Sequence, residues 1–134
     1  MSKHLRGVKP AVHPDQEPLT KAPKAPAYFS PYAVQEWKRI LPMLIARKLI
    51  CKADLGLVED LCIARGYIRQ IETERKQAGG VIDKVTFGIL NRAILSARQL
   101  AANLGLDPVS RARLGAGPDQ PDPNARPNPL SFRR

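Results

Sequence analysis

Apolar residues fall into three runs spaced three and four apart, the spacing that lines one face of an α-helix. In the first run Val34, Trp37, Leu41, Leu44, Ile45 and Leu49 predict a helix from about Ser30 toward Ile50. Ser30 is suited to cap its amide groups, and Pro31 suits a first helical position. Pro42 falls inside this run and predicts either a kink or a break into two shorter helices. In the second run, opened by Lys52-Ala53-Asp54, Leu57, Leu61, Ala64, Ile68 and Ile71 predict the longest helix, closed by Gly79-Gly80. The link at 81–85 reads as extended or as a brief hairpin. A third helix follows from about Thr86, with Leu90, Ile94, Ala97, Ala101 and Leu104 on one face and Gly105 at its end.

Two matched stripes joined by a short link predict an antiparallel pair that the first helix covers. Val58, Cys62, Ile89, Ala93 and Leu100 lie off the stripes. Three helices cannot bury all of these faces, so the surplus predicts contact with further copies of the chain, or partial cover by a short helix at Ser110.

The two ends look different. Residues 1–29 hold Pro10, Pro14, Pro18, Pro23 and Pro26 with little periodicity, and predict a basic, extended, mobile arm; residues 115–134 hold five more prolines and predict a second tail. The expected division is therefore arm 1–29, helical core 30–114 and tail 115–134. Composition agrees with an all-α core: 43% of residues are hydrophobic but only 5% aromatic, leaving Leu, Ile, Val and Ala to fill it. No apolar run approaches the length of a membrane span, and no apolar stretch follows the charged start, so neither secretion nor membrane insertion is expected.

Charge alters the picture most. The chain carries +10, and residues 30–114 alone hold 14 Lys and Arg against 8 Asp and Glu. A surplus on the folded part as well as the tails points to a polyanion, most simply nucleic acid. The candidate phosphate contacts are Lys38, Arg39, Arg47, Lys48 and Lys52 around the first helix and its following turn, Arg111 and Arg113 near the end of the core, and Lys21 and Lys24 in the arm. Glu59, Asp60, Glu72 and Glu74 lie beside Arg65, Arg69, Arg75 and Lys76 on the second helix and read as ordinary solvated pairs. Trp37 is placed in the core rather than as a base-stacking platform.

Candidate chemistry is sparse. His4 and His13 both lie in the arm, where nothing would hold them in a reactive geometry. Cys51 and Cys62 match neither a redox pair nor a zinc ribbon, and read as inert residues, Cys62 in the core. No phosphate-cradling glycine loop is present. The expectation is a binding protein without catalytic residues, metal or cofactor. A small sequence-specific transcriptional regulator is one reading of such a chain. A helix-turn-helix over residues 40–71, turning at 49–54, would open its recognition helix with Asp54, Leu55, Leu57, Val58, Glu59 and Asp60, a poor match to a major groove.

One segment is more specific. Leu104-Gly105-Leu106-Asp107-Pro108-Val109-Ser110-Arg111-Ala112-Arg113-Leu114 resembles the LGL-T-P-x-S-R-x-R-L ending of a large family of phage terminase small subunits, with Asp107 where Thr is usual. The order of a Trp-bearing first helix, an Asp-led long helix, a Gly turn and a last helix also resembles that family, over roughly residues 27–115. The link at 80–87 departs from the family pattern. The resemblance implies a non-enzymatic subunit in the cytoplasm of an infected bacterium. It would form a homo-oligomeric ring of roughly eight to ten copies, bind double-stranded viral DNA and recruit the large terminase subunit, whose ATPase and nuclease act in packaging. In physical terms, Gly105 stops a helix in the left-handed conformation, Leu106 packs back, and Asp107-Pro108 starts a short helix bearing Arg111 and Arg113. Those arginines are left to meet DNA, a neighbouring subunit's carboxylates, or water.

Overall fold

The computed structural model describes residues 17–114. His4, His13 and the predicted tail at 115–134 lie outside them. The described residues form α1 (Pro31–Ala46), a 3-10 turn (Lys52–Asp54), α2 (Leu55–Gln77), α3 (Lys84–Asn103) and a short α4 (Pro108–Leu114). Among the described residues there is no strand, only an isolated bridge between Pro18 and Cys51.

Each helix starts and stops for a local reason. Ser30 Oγ accepts the Ala33 amide at 3.2 Å, and Asp83 Oδ1 accepts the Thr86 amide at 2.9 Å, so α1 and α3 are side-chain capped. Helix α3 therefore begins at Lys84, and the link shrinks to residues 81–83. Three helices end in the same paired-bond motif, in which a left-handed residue lets two amides reach back to the last-turn carbonyls. At the end of α2, Gly79 and Gly80 donate to Lys76 and Arg75; at the end of α3, Gly105 and Leu106 donate to Ala102 and Ala101. At the end of α1, Lys48 and Leu49 donate to Ile45 and Leu44, with Lys48 at φ 56° in the position glycine usually fills. Helix α1 thus stops at Ala46, not near Ile50.

Pro42 neither splits α1 nor ends it. Pro42 and Lys38 are both exposed, so the carbonyl of Lys38, deprived of its usual amide donor, faces water.

Helix α2 is the centre of the fold. It packs against α1 on one flank and α3 on the other, while no Cα of α1 comes within 8 Å of a Cα of α3. The expected α2–α3 hairpin is present, and α1 brings its backbone close to α2 alone, while residues of all three helices share one buried cluster. The stripe on α1 is also rotated from the expected one. Its buried residues are Ala33, Glu36, Trp37, Ile40, Leu41 and Leu44, and Leu49 lies exposed beyond the helix. Val58, which lies off the expected stripe, is fully buried with Leu61 and Cys62, the last as expected of a core residue, and Leu100 packs against the core. The surplus that remains lies along the hairpin: Val81, Val85, Phe87 and Ile89 around its tip, and Tyr67 and Leu95 near the middle of α2 and α3, are each more than half exposed.

Gly66 sets the spacing of α1 and α2. A Cβ there would lie 3.1 Å from the Ala33 nitrogen and 3.3 Å from its Cβ.

Residues 17–29, placed by sequence in the arm, lie along this body. Leu19, Ala25 and Phe29 pack against the core, and the Leu19 amide donates to Ile50 O at 2.9 Å. Trp37 Nε1 donates to Pro23 O at 3.0 Å, and its ring meets Phe29 edge-on at 5.7 Å. Trp37 is thus a core residue that also anchors this strap.

Candidate nucleic-acid interface

The nine cations singled out from sequence are all exposed. They fall into groups. Arg47 caps the C-terminus of α1, Lys48 follows it, and Lys52 opens the 3-10 turn. Positive charge there complements the negative end of the α1 dipole. The Pro18–Cys51 bridge lays the strap segment that carries Lys21 beside the same turn. Lys24 and Lys38 line one shallow pocket of ≈ 340 Å³ with Pro23, Trp37 and Leu41. Arg111 and Arg113 sit apart on α4, which contacts only α3 among the helices. Arg111 Nη1 donates to Leu106 O at 2.8 Å and so also ties the turn before its own helix.

Arg39 differs from the others because its guanidinium is committed to Glu36. Glu36 is the one buried charged residue among those described, with no exposed surface. Its Oε2 accepts Arg39 Nε at 3.0 Å and lies 3.2 Å from Arg69 Nη2; its Oε1 accepts Arg65 Nη1 at 2.6 Å and a second bond from Arg39. Burial pushes the Glu36 carboxyl up, but bonds from Arg39 and Arg65, together with their charges, outweigh it and hold the group below its ordinary value. Arg65 and Arg69 therefore do not pair along α2 as expected. They reach across to α1. Only the Arg75–Glu72 pair, at 2.7 Å, matches the expected helix-face arrangement.

Glu36 went unnoticed in the sequence because the stripe through Val34 and Leu41 leaves it to one side. Its signal was its position between Ala33 and Ile40, one turn from each, with Arg39 three residues on.

The remaining chemistry is structural. Burial, then the Glu36 charge, pushes the Cys62 thiol up to about 12. Cys51 is buried, and its amide donates to Asp54 Oδ2 at 2.9 Å to cap the 3-10 turn. Among the described residues there is no cluster of three potential metal ligands, and no helix is long and apolar enough to cross a membrane. The helix-turn-helix reading gains nothing from the geometry. Its recognition helix would be α2, whose flanks toward α1 and α3 are covered and whose exposed first turns offer Gly56, Leu57 and Asp60, a poor match to a groove.

The terminal motif folds as a stop and restart. Gly105 is left-handed at φ 68°, and Leu106 packs on the core. Asp107 Oδ1 accepts the Ser110 amide at 2.8 Å and its Oδ2 accepts the Ser110 hydroxyl at 2.6 Å, which caps α4 and holds the Asp107 carboxyl below its usual range. Asp performs this capping as well as Thr. The family model described as phage terminase, small subunit, matches residues 33–121, which begins in α1 and runs beyond α4. The chain belongs to the phage terminase small-subunit family. Searches of curated proteins and of solved structures give no match. The matched span of this small subunit includes α1 from Ala33 onward, the other three helices and the Glu36 cluster, while the strap, the Ser30 cap and the first two residues of α1 precede it.

Proposed function

We propose that this chain is the non-catalytic adaptor of a genome-packaging motor in the infected host cytoplasm. It assembles into a ring, binds double-stranded viral DNA, and brings the large terminase subunit, which supplies ATPase and nuclease, to that DNA. The family match over residues 33–121 carries the reading. The net charge of +10 supports the DNA partner, because Lys and Arg that neutralise phosphates release the condensed counterions of the polyanion into solution. The exposed apolar surface of the hairpin supports self-association. Phe87, Ile89 and Leu95 on α3 and Tyr67 on α2 are exposed in the single chain and have the character of a contact between copies.

Mass measurement of the native assembly tests the ring directly. A closed oligomer of roughly eight to ten copies is expected, and Phe87→Asp or Leu95→Asp should reduce it to small species without loss of helicity. A strict monomer at micromolar concentration would overturn the ring. DNA binding should weaken steeply as salt rises, and addition of the chain should change the ATPase rate of the large subunit from the same virus. Binding insensitive to salt would overturn the proposed mode of DNA contact.

A further inference from the structure

We propose that Arg39, Arg65 and Arg69, fixed by the buried carboxylate of Glu36, form a preset clamp for the phosphodiester backbone of duplex DNA. The inference rests on the DNA-binding reading above and deepens it, by assigning a site that includes two arginines expected to be ordinary surface charges.

The stoichiometry is the first reason. One carboxylate holds three guanidiniums, so the cluster carries two positive charges that Glu36 does not cancel. No other carboxylate among the described residues forms an ion pair with any of the three. Of the acids near them on α2, Glu59 accepts instead from the Tyr28 hydroxyl and Glu72 pairs with Arg75, and Asp107, which shares a groove with Arg65, is turned to Ser110. Tying α1 to α2 needs only one arginine on Glu36. A second and third add mutual repulsion and fix further long side chains, which weakens a purely structural account.

Exposure is the second reason. Glu36 is sealed from solvent, whereas the side chains of Arg39, Arg65 and Arg69 are 52%, 27% and 44% exposed. Arg39 commits two donors to Glu36, and Arg65 and Arg69 one contact each, leaving the rest of each planar fork for an outside acceptor. The counter-charge lies behind the cations and the open donors lie in front. Guanidinium forks match phosphate oxygens in pairs, and forks already held in place lose little freedom when they bind. Positive charge also continues from the cluster, since Arg65 shares the groove between α2 and α3 with Arg98.

The test is a DNA titration over a range of salt with the full chain and four variants, with thermal melts to establish folding. Arg39→Ala and Arg69→Ala should each lower affinity several-fold and reduce the slope of log affinity against log salt by about 0.9, the loss of one phosphate contact. Arg39→Lys keeps the charge but not the fork, and should lose affinity with little change in slope. Glu36→Gln separates organisation from charge. It adds a positive charge, so simple attraction predicts tighter binding, whereas the clamp predicts weaker binding because the three side chains lose their anchor. Should Glu36→Gln not fold, Arg39→Lys decides the same point. A folded Glu36→Gln that binds more tightly, or alanine variants with the parent slope, would overturn the clamp and leave DNA binding by the chain intact. Loss of large-subunit binding with DNA affinity unchanged would likewise overturn it, and assign the cluster to acidic groups of that partner. If the parent chain binds no DNA, the functional reading falls with it.

Discussion

The contact most sensitive to a single methyl group is at Gly66. Its missing Cβ would meet the Ala33 nitrogen at 3.1 Å, Cβ at 3.3 Å and Cα at 3.4 Å. Two of these are backbone atoms, and the nitrogen is the one capped by Ser30, so Ala33 cannot yield without straining the first turn of α1. Glu36 lies one turn further along and would be drawn from Arg65 and Arg69. In Gly66→Ala, overpacking of about 1–3 kcal/mol opposes a gain of about 1 kcal/mol in helix propensity. The net is a loss of up to about 2 kcal/mol. Gly56→Ala is the control, because its Cβ meets nothing within 4 Å and sits in the same helix. It should gain about 0.5–1 kcal/mol. At roughly 4–8 °C per kcal/mol for a domain of this size, thermal melts at one fixed chain concentration should place Gly66→Ala below the parent and Gly56→Ala above it. Equal increases for both would refute the close approach of α1 to α2.

Three further outcomes follow from local geometry. Lys48→Gly relieves a side chain held at φ 56° and should raise stability by up to about 1 kcal/mol in thermal melts, with a small loss of DNA affinity if Lys48 meets phosphate. Because the Glu36 carboxyl titrates below its ordinary 4.5 in the folded chain, its contribution is complete above that pH and is lost as pH falls through the folded value; acid titration of Glu36→Gln should lack that part of the stability loss. Cys62, buried and with its thiol raised to about 12, should react with a thiol reagent only on unfolding, so that labelling rates track denaturant rather than mild alkali.

Local signals carried well where a single residue type decides the backbone. Ser30-Pro31, Gly79-Gly80 and Gly105 marked helix ends that the structure places within a residue or two, because capping and left-handed turns depend on chemistry at one position. Lys48 performs the same turn without the expected residue, and the end of α1 was therefore placed too late. The stripe on α1 was misjudged for a different reason. Periodicity counts apolar residues, and a buried Glu36 satisfied by three arginines from two helices counts as polar in any such pattern. Ile40 was passed over with it. Pairing across helices is also invisible to spacing within one helix, which is why Arg65 and Arg69 were assigned to carboxylates on α2.

The central position of α2 gives the fold two chemically different ends. At 23 residues and about 1.5 Å per residue, α2 spans roughly 35 Å. Arg47, Lys48 and Lys52 crowd the turn that leads into its first residues, and the strap brings Lys21 to the same end. Val81, Ile82 and Val85 lie just past its last residues, on a tip where the cations Arg75, Lys76 and Lys84 are matched in number by Glu72, Glu74 and Asp83. The distance exceeds three Debye lengths at about 0.1 M salt, so charge at the first end has little influence on apolar contacts at the second. Copies can join through the hairpin tip without bringing their most basic ends into the contact, and the repulsion expected of a +10 chain does not oppose that association directly. The Glu36 cluster lies between the two, on the flank where α1 covers α2 and not at the tip. Its cations would therefore remain open to DNA after the tips had met.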